Sequence, residues 1–256
     1  MVVAMEVLFC IMIFCMGAVF GSFFTLTVYR IPLGLDITHE RSFCPNCNHR
    51  LEFIDLIPIL SYLSLGGKCR YCGQPVRIRY LVLEILSGIV FLTAYFAFPI
   101  HFPFLEASSL CLMIAFVMFY ITNAIILGID KEYIAIEKKV LLFGIVTQTI
   151  YMLYLYTFEQ ASLIFYLIFL VMLLLLFSID TWTLKKKNKS LYLIQIFMLF
   201  VYEVMFIQDW RMILGTVIGS CISYSIYRII KRKNVPIGFC IALSSIISVL
   251  VGNLIM

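Results

Sequence analysis

The stretch VAMEVLFCIMIFCMGAVFGSFFTLTVY, residues 3–29, carries a single charged side chain, Glu6. A helix rises about 1.5 Å per residue and bilayer hydrocarbon is about 30 Å thick, so about 20 apolar residues suffice to cross it. This run is long enough. It lacks a basic start and a small-residue cleavage site, and is expected to stay in place as a helix rather than be removed as a signal peptide. Working outward from it, seven further apolar runs follow at about 81–99, 104–128, 140–158, 161–179, 191–208, 212–229 and 235–255. Each is continuous rather than alternating, which excludes a β-barrel. Composition agrees, with 63% hydrophobic and 13% charged residues, where a soluble domain needs about 25% charged ones. The expected fold class is therefore an all-α membrane protein of eight transmembrane helices.

Charge then orients the helices. Cytoplasmic connections collect Lys and Arg. With eight spans and both termini outside, the inner segments hold Arg30, Arg41, Arg50, Lys68, Arg70, Arg77 and Arg79, then Lys131, Lys138 and Lys139. Lys185, Lys186, Lys187, Lys189, Arg228, Lys231, Arg232 and Lys233 complete them, 18 of the 19 basic residues, with Arg211 alone outside. The net charge of +5 is read as membrane orientation, not as nucleic-acid binding, and the bases as solvated or snorkelling.

One segment, residues 30–80, is long enough to fold outside the bilayer. The chain thus divides into a first helix (1–29), a cytoplasmic module (30–80) and a seven-helix membrane domain (81–256). Within the module CPNC (44–47) and CRYCG (69–73) give C-x2-C-x21-C-x2-C. Two such knuckles can face four thiolates into a tetrahedron, which suits Zn²⁺. Cys44, Cys47, Cys69 and Cys72 are the expected ligands of a zinc-ribbon-like module. Two disulfides are the alternative, disfavoured on the reducing side of a membrane. His49 is not needed once four thiolates close the sphere. The other five cysteines, scattered in apolar runs, read as small core residues.

The module and its flanks also carry a resemblance. GSFFTLTVYRIP (21–32), RSFCPNC (41–47), LIPILSYL (56–63), GGKCRYCG (66–73) and RYLVLE (79–84) resemble the amino-terminal half of the type IV prepilin peptidase family. The resemblance implies an intramembrane aspartyl endopeptidase that removes leaders from prepilins or competence and secretion pseudopilins. It also implies N-methylation of the newly exposed residue with S-adenosylmethionine. Two carboxylates sharing a proton are required, one activating water while the other donates.

By the same resemblance, Asp130 in AIILGIDKEYIAIEKKV (124–140) is the first catalytic aspartate, although Glu137 stands where the family has proline. The family's second aspartate lies in a Gly-x-Gly-Asp-x-Lys turn. Here that turn reads KKKN at 185–188, and an amide transfers no proton. Asp180, ending the preceding helix on the same face, is the substitute second carboxylate. Gly67, in the family's Gly-Lys-Cys step, and Glu84, one turn into the second helix, are the candidate cofactor- or substrate-side residues. Glu203 is expected near an outer helix end, snorkelling or paired with Arg211. Asp36, Glu40, Glu52 and Asp55 are candidates for steering a basic leader.

Two functions follow. One is a leader peptidase in the cytoplasmic membrane, with or without a second, methyltransferase activity, its partners a prepilin-type substrate and the lipid bilayer. The other is a proteolytically inactive, zinc-stapled relative that binds pseudopilins.

Overall fold

The computed structural model describes residues 2–39, 41–98, 107–159, 163–185, 192–207, 209–231 and 235–255. Among these the regular structure is helical: α1 Val2–Arg30, a 3₁₀ turn Phe53–Leu56, α2 Leu60–Ser64, α3 Arg79–Ala97, α4 Ala107–Tyr133 and α5 Lys138–Glu159. After these come α6 Ile164–Lys185, α7 Tyr192–Ile207, α8 Trp210–Lys231 and α9 Ile237–Ile255. Eight of the nine helices coincide with the apolar runs of the sequence. Seven are long and apolar enough to cross a membrane, and α7 is shorter, Tyr192–Ile207. The chain forms two compact units, Met1–Leu105 and Glu106–Met256.

In the first unit α1 lies against α3, and small residues set how close they come. A Cβ on Gly17 would sit 2.6 Å from the Ser87 carbonyl oxygen, and one on Gly21 would sit 2.8 Å from the Glu84 Cα. Both obstacles are backbone, which cannot swing aside as a side chain can. Phe20 stacks on Phe91 with ring centroids 5.4 Å apart, closing the same seam. Alanine in place of glycine favours an unconstrained helix by about 1 kcal/mol. At Gly17 or Gly21 the sign should reverse, to a loss of about 1–3 kcal/mol from overpacking. Thermal unfolding of Gly17→Ala and Gly21→Ala in detergent checks this, and an unchanged or raised Tm contradicts the close seam.

In the second unit α4 contacts α5 and α9, α6 contacts α7, α8 contacts α9, and α7 touches α5, α8 and α9. Its centre is aromatic: the Phe119 ring lies 4.1 Å from that of Phe206 and 5.9 Å from that of Tyr202. Phe119, Ile126, Ile129, Leu199 and Tyr202 have no exposed surface.

Candidate functional site

The four cysteines of the module come together as the spacing implies. Their sulfur atoms all lie within 4.8 Å of one another, with 3.9 Å between those of Cys44 and Cys72. A tetrahedron with metal–sulfur bonds of about 2.3 Å has edges of about 3.8 Å, so the donors fit Zn²⁺. Each knuckle is built the same way. The Cys44 N–H donates to the His49 carbonyl and the Asn48 N–H to the Cys44 carbonyl, and the same two bonds link Cys69 with Gln74 and Gly73 with Cys69. The left-handed residue is Asn48 in the first (φ 55°) and Gly73 in the second (φ 70°), the two residue types that tolerate that region best.

Short antiparallel bridges, Phe43 with Arg50 and Lys68 with Pro75, close the bases of the two knuckles. The knuckles also touch through the His49 and Tyr71 rings, whose centroids are 3.6 Å apart. His49 thus contributes a ring contact, and among the described residues the metal-competent group consists of the four cysteines.

The clustered thiols shift one another's acidity. At Cys44 burial, which raises a thiol, is outweighed by the N–H groups of Cys47 and Asn46 and by the Cys69 and Cys47 thiols, which lower it to about 7. At Cys72 the Gln74 N–H acts downward, but desolvation and the other three thiols push it up to about 11. A divalent cation deprotonates a coordinating thiol outright.

Asp55 braces the second knuckle. It accepts from Arg70 Nε at 2.7 Å and from the Tyr71 hydroxyl at 3.0 Å. Burial raises its carboxyl, but the Glu52 N–H, Arg70 and Tyr71 together hold it below the usual carboxylate range. Its side chain is 4% exposed, so the expectation that Asp55 steers a leader gives way to a structural role. Asp36 closes a local turn, accepting from the Thr38 N–H and hydroxyl, at 2.8 and 2.9 Å. The N–H groups of Thr38 and His39 hold it well below the usual range. Glu40 lies outside the described residues.

Arg30 differs from the solvated base expected of it. It is 3% exposed and donates to the carbonyls of Asp36 at 2.7 Å and Arg41 at 3.2 Å, folding the loop that leads to the first knuckle.

Glu84 is buried, and its Oε2 accepts from the Ile59 N–H at 2.7 Å. Ile59 is held at φ 64°, ψ −53°, while the Leu60 N–H donates to the Pro58 carbonyl at 2.6 Å. That is a γ-turn, a strained conformation for a β-branched residue. Gly67 adopts φ 68°, and the Tyr62 ring stands 2.9 Å from where a Cβ would be. Glu84 and Gly67 therefore both bear on the loop 57–62.

In the second unit Asp130 and Asp180 are both fully buried. Asp130 Oδ1 accepts from the Tyr192 hydroxyl at 2.7 Å and Oδ2 from the Phe239 N–H at 2.8 Å. The Gly238 N–H in turn donates to the Tyr192 oxygen at 3.3 Å. The carboxylate thus meets the first-turn amides of α9, where the helix dipole favours negative charge. Asp180 forms an ion pair with Lys138, whose ammonium also lies 5.6 Å from the Phe177 ring centroid.

The chain from Asp130 to Lys138 is a short turn, with Ile134 at φ 52°. Asp130, Lys138 and Asp180 therefore share one end of the unit, where the Ile136 N–H also reaches Gln195 Oε1 at 3.3 Å. Each aspartate has a partner of its own there. Lys185 closes α6, and Lys186, Lys187 and Asn188 lie outside the described residues.

Lys138, Tyr192, Gln195 and the α9 amides escape sequence reasoning. Only Pro236, just before Ile237, signals a helix start. Glu203 is a correction. It is 1% exposed and lies beside Ser245 and Asn123. It neither snorkels nor pairs with Arg211, which stacks over Trp210 at 5.8 Å.

Comparison with known proteins adds to this geometry. Residues 15–98 match the family described as the bacterial peptidase A24 N-terminal domain. A prepilin leader peptidase/N-methyltransferase of Myxococcus xanthus is 37% identical over 113 residues, 43% of this chain and 34% of that protein. Proteins of the same name from Klebsiella pneumoniae and Bacillus subtilis are 39% identical over 88 residues and 38% identical over 106. Those two alignments cover 32% and 40% of this chain, and 39% and 43% of the relatives. The chain thus spans between 34% and 43% of the length of these three relatives. No solved structure matches it significantly. The similarity thus lies in the cysteine module and the two helices that frame it, residues 15–98.

Proposed function

We propose that the chain is a membrane-embedded leader peptidase for type IV prepilin-like proteins, an aspartyl endopeptidase working at the cytoplasmic face of the cell membrane. One observation carries this reading: two fully buried carboxylates, Asp130 and Asp180, at one end of one helical unit. A carboxylate at the edge of a membrane span is costly unless paired or functional. Hydrolysis requires one carboxylate to take a proton from the attacking water and the other to protonate the carbonyl oxygen or leaving amine. In that scheme Lys138, whose ammonium is buried, must release Asp180 as substrate binds. Asp130, fixed by Tyr192 and the α9 amides, is the immobile member.

The cysteine module has a supporting role: Cys44, Cys47, Cys69 and Cys72 would hold a structural Zn²⁺, which crosslinks the two knuckles. The relatives' printed name supports methyl transfer as a second activity, with S-adenosylmethionine as donor. Glu84 and Gly67 serve it by shaping the loop 57–62. The 18 basic residues assigned to inner segments support placing this end of the helices inside the cell, with both termini outside.

A second reading has an observation of its own. Asp130 completes the start of α9 and Asp180 neutralises Lys138, which are structural uses. On this reading the chain binds pseudopilins without cutting them.

Cleavage of a prepilin-type substrate in membranes separates the two. The peptidase reading expects cleavage by the natural chain and a loss of about 10²-fold or more in Asp130→Asn and Asp180→Asn. Cleavage untouched by Asp180→Asn removes the second carboxylate. An inert natural chain that still captures the substrate establishes the binding reading.

A further inference from the structure

The segment Phe53–Leu63 exposes apolar side chains although it belongs to the polar module. Phe53 is 83% exposed, Leu60 66%, Leu63 61% and Ile54 58%. The 3₁₀ turn sorts its residues by face: Asp55 turns inward to Arg70 and Tyr71, which leaves Phe53 and Ile54 outside. Apolar side chains gathered this way need a cover.

Two observations say what the cover is. The first is depth. The Ile59 N–H is bonded to Glu84, five residues into the span that begins at Arg79, or about 7 Å along its axis. Side chains on a helix lean toward its N-terminus, so the Glu84 carboxyl lies within the first turns of α3. The loop is therefore tied to the mouth of a membrane span.

The second is continuity. The exposed residues Val82, Leu86 and Ile89 form one stripe of α3 at helical spacing, and the same stripe continues outward to Ile78, which is 66% exposed and precedes the helix. The lipid-facing surface of α3 thus runs out to the level of the loop.

We propose that Phe53–Leu63 is an interfacial anchor, lying in the headgroup region of the leaflet from which α1 and α3 emerge, with Phe53, Ile54, Leu60 and Leu63 inserted among lipid chains. A short amphipathic segment in that plane buries its apolar side in the boundary between headgroups and acyl chains. Glu84 is then the tether that sets the loop's depth, and the strain at Ile59 is held in place by that bond. The anchor is independent of any peptidase activity.

Tryptophan fluorescence in phosphatidylcholine nanodiscs tests it, using the full chain with Trp182→Phe and Trp210→Phe as background. Phe53→Trp and Leu63→Trp are each read against Gln74→Trp, which lies on the exposed second knuckle. Expected are blue-shifted emission and loss of intensity in lipids brominated near the top of the acyl chain, at 53 and 63 but not at 74. Emission at 53 and 63 that is red-shifted and unquenched, like that at 74, overturns the anchor. So does blue-shifted emission without bromine quenching, because protein rather than lipid would then be the cover. Zinc content of each variant confirms that the module is folded.

Discussion

Lys138→Met is expected to destabilise the Glu106–Met256 unit by about 3–5 kcal/mol, the cost of leaving one partner of a buried ion pair uncompensated. Asp180 has no exposed surface and Lys138 has 19%, so water compensates the carboxylate poorly. The matching single change, Asp180→Leu, leaves the ammonium, buried in the native structure, on a long flexible stem beside the Phe177 face, which attracts a cation. It should cost less. The double variant Lys138→Met/Asp180→Leu should recover most of the loss, since an ion pair replaced by apolar groups is often neutral or better. Unfolding of the four proteins in one detergent gives the coupling energy directly. Additive losses would mean that the pair carries no interaction and would contradict the structural use of Asp180.

The second large effect belongs to the cysteines. Cys44→Ser or Cys69→Ser is expected to abolish stoichiometric zinc and to unfold the module, because binding to a structural Zn²⁺ site is also folding free energy, about 10–16 kcal/mol in small zinc domains. Cys44 and Cys69 are the buried members and leave the largest gap. The natural chain should carry about one Zn²⁺, read by elemental analysis. The metal should be retained at neutral and higher pH and lost as pH falls, since each thiolate must be protonated to leave. Zinc content that is absent in the purified chain, or unaffected by either change, contradicts the assignment. The outer members, Cys47 and Cys72, should show the same loss of metal with less damage to packing.

Much of the fold was legible because a bilayer imposes a simple rule. Backbone polar groups in hydrocarbon must be satisfied within the segment, so a long apolar run has one structure available to it. Each of the eight runs became a helix, and the short turn at 134–137 followed where the apolar pattern broke. The knuckles were legible for a related reason: in C-x2-C a tight turn alone aims two sulfurs at one point, and Asn48 and Gly73 supply the left-handed residue that turn requires.

Partners of buried charges were not legible. Nothing in IEKKV distinguishes Lys138, which reaches Asp180, from Lys139 beside it; the difference lies in which side of α5 faces α6. Glu203 was misplaced because an acid near an Arg on the next helix suggests a surface pair, whereas the orientation of α7 turns it toward Asn123 and Ser245. Arg30 looked like one more interfacial base, yet its guanidinium holds the carbonyls of Asp36 and Arg41.

By itself, then, the amino-acid sequence determined which segments form long apolar helices and that four cysteines meet, since both depend on composition and on spacing within a few residues. The tertiary structure alone decided that Asp130 sits on the first amides of α9 and Asp180 on Lys138. Those contacts bring together residues 109 and 42 positions apart, and only the rotation and lateral order of packed helices, which leave no local mark, select them.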